Sequence, residues 1–195
     1  MALDLMRTPS ASRNFKEVLI PAFRAFRSYY SKRAIGLGED TKRASAVAQS
    51  LLDLPEHVFL DIKDELPFKT PREYREELWK SSSNYELVCD VANAWKHGKV
   101  SRQGRKIVGP AAIMEQLALI EAEDEEGAYV FSRKLVVVEL ESGEKVELAH
   151  ALLESANLWA SELKARGILG SLVKFKSPSP GTCQPFPDSI LNFSK

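Results

Sequence analysis

Apolar residues first recur at helical spacing over Phe15, Val18, Leu19, Ala22, Phe23 and Phe26, which share one face of a predicted helix beginning near Asn14. Pro21 falls inside that pattern and predicts either a kink or the true first turn. Arg24, Arg27, Lys32 and Arg33 make the end of this helix basic, which suits a helix C-terminus, and Gly36 and Gly38 are stop signals. Asp40-Thr41 then caps a second helix that carries Ala44, Val47, Ala48, Leu51 and Leu52 on one side. Residues 54–69, with Pro55 and Pro67, read as irregular.

Thr70-Pro71-Arg72-Glu73 is a helix start with a capping residue, a proline in the first turn and a glutamate placed to close a capping box. Tyr74, Leu78 and Trp79 follow, and residues 81–84 break the pattern. From about Asn84 to His97 a further helix presents Leu87, Val88, Val91, Ala94 and Trp95, and Gly98 ends it. The periodicity then changes. Residues 107–120 fit a strand or a short helix equally, whereas 130–141 and 144–148 flank Ser142-Gly143 and predict a β-hairpin. A last amphipathic helix from about Ala149 uses Leu152, Leu153, Ala156, Trp159 and Leu163 and stops at Gly167.

The fold class expected from this order is mainly α (α+β): a four- to five-helix bundle with an inserted β-hairpin or small antiparallel sheet before the last helix. Three regions are expected: a leader over 1–12, one domain over 13–175 with its hairpin near 130–148, and a Pro/Ser-rich tail over 176–195 that contains Ser177-Pro178-Ser179-Pro180-Gly181.

Composition narrows the function classes. Lys+Arg and Asp+Glu number 27 each, so no global field draws the chain to nucleic acid or to an anionic membrane, and a local patch would have to do so. No apolar run approaches the roughly 20 residues of a membrane helix, and the first residues lack the form of a signal peptide. Cys89 and Cys183 form no metal-binding or redox spacing, which predicts a reducing cytoplasmic setting with Cys89 as a buried thiol. His57, His97 and His150 have no ligand-pair spacing, so neither a metal nor another cofactor is expected. Trp79, Trp95 and Trp159 lie in apolar helical patterns and read as core residues.

One segment has the residue types for chemistry. On a helix, Glu86, Asp90, Asn93 and His97 fall within about 60° of one another. Lys96, Lys99, Arg102, Arg105 and Lys106 follow with no acid among them. The reading is a phosphodiester site. His97 acts as acid or base, Asn93 orients it and Lys96 assists. Lys99, Arg102, Arg105 and Lys106 hold phosphates, and Asp90 and Glu86 support the arrangement. The competing reading makes the same polar residues structural and the basic run a solvated loop. An acidic run over Glu121, Glu123, Asp124, Glu125 and Glu126 could pair with the basic one across the hairpin or across a subunit interface.

The segment Asn93-Ala94-Trp95-Lys96-His97 resembles part of the signature of the HEPN superfamily, compact helical bundles that commonly dimerise. Many are metal-independent ribonucleases in toxin–antitoxin, CRISPR and anti-phage systems. Asn93 and His97 match the polar and histidine positions, while Ala92 stands where the family has arginine. Residues 84–165 are also similar to small bacterial proteins with an Asn-Ala-x-Lys-His core, a resemblance that brings no activity with it. The resemblance implies an RNA-binding or RNA-cleaving bacterial defence protein, working as a homodimer on RNA or another phosphate ligand. The alternative is a non-catalytic helical interaction module that docks a protein partner, a reading favoured by the missing arginine.

Overall fold

The computed structural model describes residues 9–30, 39–124 and 127–176. Its elements run α1 (Ser10–Asn14), a π-helical turn (Phe15–Leu19), α2 (Ile20–Tyr30), α3 (Glu39–Ile62), α4 (Pro71–Ser81), α5 (Ser83–His97), β1 (Ile113–Asp124), β2 (Gly127–Glu139), β3 (Lys145–Glu147) and α6 (Leu148–Ala165). It is a mainly α bundle with a small antiparallel sheet, in the order β1-β2-β3, inserted before the last helix.

The first rod starts earlier than the pattern predicts. Ser10 to Ser12, expected to belong to a leader, are helical, and Ala11 and Ser12 are buried. The cause lies far away in sequence: the Asp61 carboxylate accepts the Ser10 and Ala11 backbone N–H groups, both at 2.7 Å, and so caps the helix from outside. Pro21 does not end the rod. The π turn stands just before it, and its wider ring gives the proline room against the Glu17 carbonyl. The wider turn also suits the buried residues Ala11, Phe15, Leu19 and Phe23, whose strict four-residue spacing would drift around a straight α-helix. The expected stops at Gly36 and Gly38 lie outside the described residues.

The expected irregular segment after residue 54 is helical to Ile62, with Pro55 inside α3. A proline there removes the N–H that would bond the Leu51 carbonyl. Tyr85 of α5 supplies the missing donor, its hydroxyl lying 3.2 Å from that carbonyl, and the Arg75 guanidinium donates to the next one, Leu52, also at 3.2 Å. Tertiary packing thus satisfies what the local sequence cannot.

Elsewhere local signals act as predicted. The Thr70 hydroxyl accepts the Glu73 N–H at 3.1 Å, and the Glu73 carboxylate reaches back to the Lys69 N–H at 2.8 Å. Ser82 caps α5, and Gly98 ends it with φ +71°. Phe15, Phe26, Leu51, Tyr74, Tyr85 and Trp159 are among the largest fully buried side chains, and Trp159 of α6 sits edge-on between Tyr74 and Tyr85, with ring centroids 5.9 and 5.8 Å away. Each buried leucine- or phenylalanine-sized side chain contributes about 1.5–3 kcal/mol relative to exposure.

Residues 113–124, ambiguous by period, form the strand β1. It pairs antiparallel with β2 from Ile113↔Val138 out to Asp124↔Gly127, while β3 pairs only with Val137, Val138 and Glu139. The turn over Ser142-Gly143 joins β2 to β3, as the sequence predicts. Among the described side chains of β2, Leu135, Val136, Val137 and Val138 are buried and anchor the sheet on the bundle.

Candidate functional site

α5 positions every residue of the candidate helix face. Asp90 is fully buried, Glu86 and Asn93 are half-buried, and Lys96 and His97 are exposed at the C-terminal end. The chain then reverses at Gly98. Gly109 returns so close that a Cβ on it would stand 3.3 Å from the Gly98 carbonyl, and Val100 donates its N–H to the Val108 carbonyl at 3.0 Å. This loop carries the basic run back along α5.

Arg102 lies against the two α5 carboxylates. Its Nε and Nη2 donate to Asp90 Oδ1 and Oδ2 at 2.9 and 2.8 Å, and Nη2 also donates to Glu86 Oε1 at 2.7 Å. The guanidinium stacks over the Trp79 ring, 4.6 Å from its centroid, and Nη1 donates to the Gly104 carbonyl. Asp90 takes a further bond from the Lys106 backbone N–H at 2.6 Å. Lys106 Nζ pairs with Glu86 at 3.2 Å, and Arg105 pairs with Glu141 beyond the sheet at 2.8 Å. Burial pushes the Asp90 carboxyl above its ordinary range. Arg102 and the Lys106 N–H pull it back down only in part, and Glu86 adds to the rise. The Arg102 guanidinium is held above its own ordinary value because its bonds to Asp90 and Glu86 outweigh the desolvation that opposes them.

The predicted phosphate-binding cations therefore fall into two groups. Arg102, Arg105 and Lys106 are ion-paired within the chain, whereas Lys99 is exposed without an ion pair to any described residue. Lys96 and His97 are likewise exposed, and neither His97 nor Asn93 makes a side-chain hydrogen bond to a described residue, so the two are not joined. The structure brings together Glu86, Asp90, Arg102 and Lys106, and it leaves Lys96, His97 and Lys99 on the outer end of the helix. An open groove of about 510 Å³ lies elsewhere, between the α4–α5 junction and α6, and none of these residues lines it.

Trp79 was missing from the candidate set because its spacing reads as core. The signal that finds it is only spatial: a partly buried tryptophan on α4 faces the guanidinium of a loop twenty-three residues on. His57 is not part of this region. Its ring lies 2.8 Å from Ser10 Oγ and 2.9 Å from Asn14 Nδ2, tying α1 to α3. Cys89 is fully buried, and that burial raises its thiol to about 11, which makes it inert as a nucleophile. Among the described residues no three His, Cys, Asp or Glu side chains converge as metal ligands, and no helix is long and apolar enough to cross a membrane. No protein-family model, curated protein or solved structure matches the chain.

Proposed function

We propose that the protein is a non-catalytic helical interaction module, with the α5 end and the long hairpin as its docking elements. The observation that carries this reading is the bidentate seat of Arg102 on the fully buried Asp90. A ribonuclease needs a cation free to meet phosphate charge beside its histidine. Ala92 cannot supply one at the matching position, and Arg102 is already held by two carboxylates and an aromatic face, so positive charge beside His97 is left to the exposed Lys96 and Lys99. The loop that carries the basic run is thereby stapled to α5. In this reading Glu86, Asp90, Arg102 and Lys106 are scaffold, and Lys96, His97 and Lys99 are surface.

The HEPN-like reading keeps one supporting observation: His97 and Lys96 are exposed, so an RNA strand can reach them. RNA cleavage by the purified wild type and by His97→Ala, with chelator present and salt low, separates the two. The module reading expects no cleavage that depends on His97. Cleavage abolished by His97→Ala overturns it and establishes a metal-independent nuclease.

A further inference from the structure

The groove between the α4–α5 junction and α6 takes no part in the docking elements proposed above, yet its walls carry side chains suited to binding backbone. Asn157 and Ser161 of α6 face Ser82, Ser83 and Asn84 of the junction. Asn157 already holds one piece of this chain. Past α6 the Leu169 N–H bonds the Leu163 carbonyl, and the chain runs back along the helix until Phe175 lies beside Asn157. There the Asn157 amide grips both backbone groups of Phe175. Its Oδ1 accepts the N–H at 2.9 Å, and its Nδ2 donates to the carbonyl at 3.3 Å. The Phe175 ring lies edge-on against Phe15 and Phe23, with centroids 5.8 and 4.7 Å away, so this strap is fixed through backbone and side chain alike.

A second hollow, of about 220 Å³, lies between the strap and α6 and shares Asn157 and Ser161 with the groove, so the two make one channel along the helix. Ser83, Asn84 and Ser161 make no side-chain hydrogen bond to a described residue. The Ser82 hydroxyl accepts the Tyr85 N–H at 3.2 Å and keeps its own proton to donate. The channel therefore offers several uncommitted donors.

The sequence that follows the strap matches this demand. Residues 177–187 carry Pro178, Pro180, Pro185 and Pro187. Each proline lacks an N–H and biases itself and the residue before it toward extended backbone. Such a segment presents more carbonyls than N–H groups and needs donors, which the serine hydroxyls and the Asn84 amide supply. It also begins at the channel, since Ser177 stands two positions beyond the clamped Phe175. We propose that the channel is the docking site of this chain's own segment 177–187, bound in cis. From Lys176 to Cys183 the chain can span about 23 Å, whereas α6 rises only about 10 Å between Glu154 and Ser161, so the segment reaches every part of the channel. A tether this short gives an effective concentration on the order of millimolar, so a contact of modest intrinsic affinity is enough. The inference does not depend on the interaction-module reading.

The test uses Cys183 as the reporter, because Cys89 is fully buried and stays silent. In the full chain, Ser83→Cys places a thiol in the channel, and Lys99→Cys places an equally exposed one past the opposite end of α5, about 20 Å away. Disulfide formation with Cys183 in a glutathione redox buffer is followed by mass spectrometry of the unreduced protein, on variants with native circular dichroism. The expected result is an intrachain disulfide that forms at least tenfold faster in Ser83→Cys than in Lys99→Cys. Adding Ser161→Trp fills the channel and slows the Ser83→Cys reaction at least tenfold; should that variant lose the native spectrum, Ser161→Gln replaces it. Equal rates in Ser83→Cys and Lys99→Cys, a rate indifferent to the Ser161 substitution, or a disulfide that joins two chains overturns the proposal. None of these outcomes bears on RNA cleavage, which tests the module reading separately.

Discussion

The Tyr85 hydroxyl donates to the Leu51 carbonyl, the one helical acceptor of α3 that Pro55 leaves without its own donor. A break in one helix is thus mended by a residue of another, and this makes α3 and α5 a single unit. Tyr85 also packs edge-on against Trp159, so the repair sits in the middle of the core.

Replacing Tyr85 with Phe is expected to cost about 1–3 kcal/mol by leaving a buried carbonyl unmet. In a Pro55→Ala background the restored N–H takes over the Leu51 carbonyl, and the cost of Tyr85→Phe shrinks. A double-mutant cycle by urea unfolding measures this coupling. Strict additivity of the two changes would show that the hydroxyl does not act through Leu51.

Arg102→Ala removes the cation from a fully buried carboxylate. The expected loss is about 3–5 kcal/mol, as for one-sided disruption of a buried pair. Asp90→Asn/Arg102→Ala should lose less than the sum of the single changes, because no uncompensated charge stays inside. His97→Ala, at an exposed position, is expected to stay within about 0.5 kcal/mol of wild type in the same unfolding assay.

Burial raises the carboxyls of both Asp40 and Asp90; beside Asp40, Lys134 opposes the rise and Glu115 adds to it. A carboxyl whose folded value exceeds its unfolded one binds its proton more tightly in the folded state. The stability it contributes is full below the unfolded value and is lost as pH rises through the folded one. Urea midpoints taken from about pH 4 to pH 7 should therefore show these two groups opposing stability progressively toward neutrality. Asp40→Asn removes one contribution and should flatten the curve. An unchanged slope would mean that Asp40 does not titrate in that window.

Asp61→Ala removes the acceptor for the Ser10 and Ala11 N–H groups. The expected cost is about 1–2 kcal/mol. Hydrogen exchange should quicken first at these two amides and then along α1, ahead of the rest of the bundle. Uniform acceleration across all helices would instead mean that the cap stabilises the whole fold and not the first rod.

What was legible in the chain was what neighbouring residues decide. The start of α4 at Thr70-Pro71, the left-handed stop at Gly98 and the turn at Ser142-Gly143 are all written within a few positions. The continuation of α3 through Pro55 was hidden because its remedy, Tyr85, is thirty residues away in sequence. The early start of α1 was hidden for the same reason, since Asp61 is half a hundred residues off. β1 was ambiguous because Ile113, Leu117 and Ile120 serve either period, and only pairing with β2 resolves it. At the candidate site the residue types were readable but their partners were not. Asp90 and Arg102 meet because the loop folds back at Gly98 and Gly109, a path that no spacing rule contains.

α5 and α6 pack against each other, and the sheet leaves the bundle between them and returns at Leu148. The outer ribbon is thereby a detour from a closed core. Removing residues from it two at a time from each strand keeps the pairing and leaves every remaining position on its own face of the ribbon. Ribbon length is then a dimension along which related chains are free to diverge by insertion and deletion, each length setting how far this protein reaches while the helices that carry it stay the same.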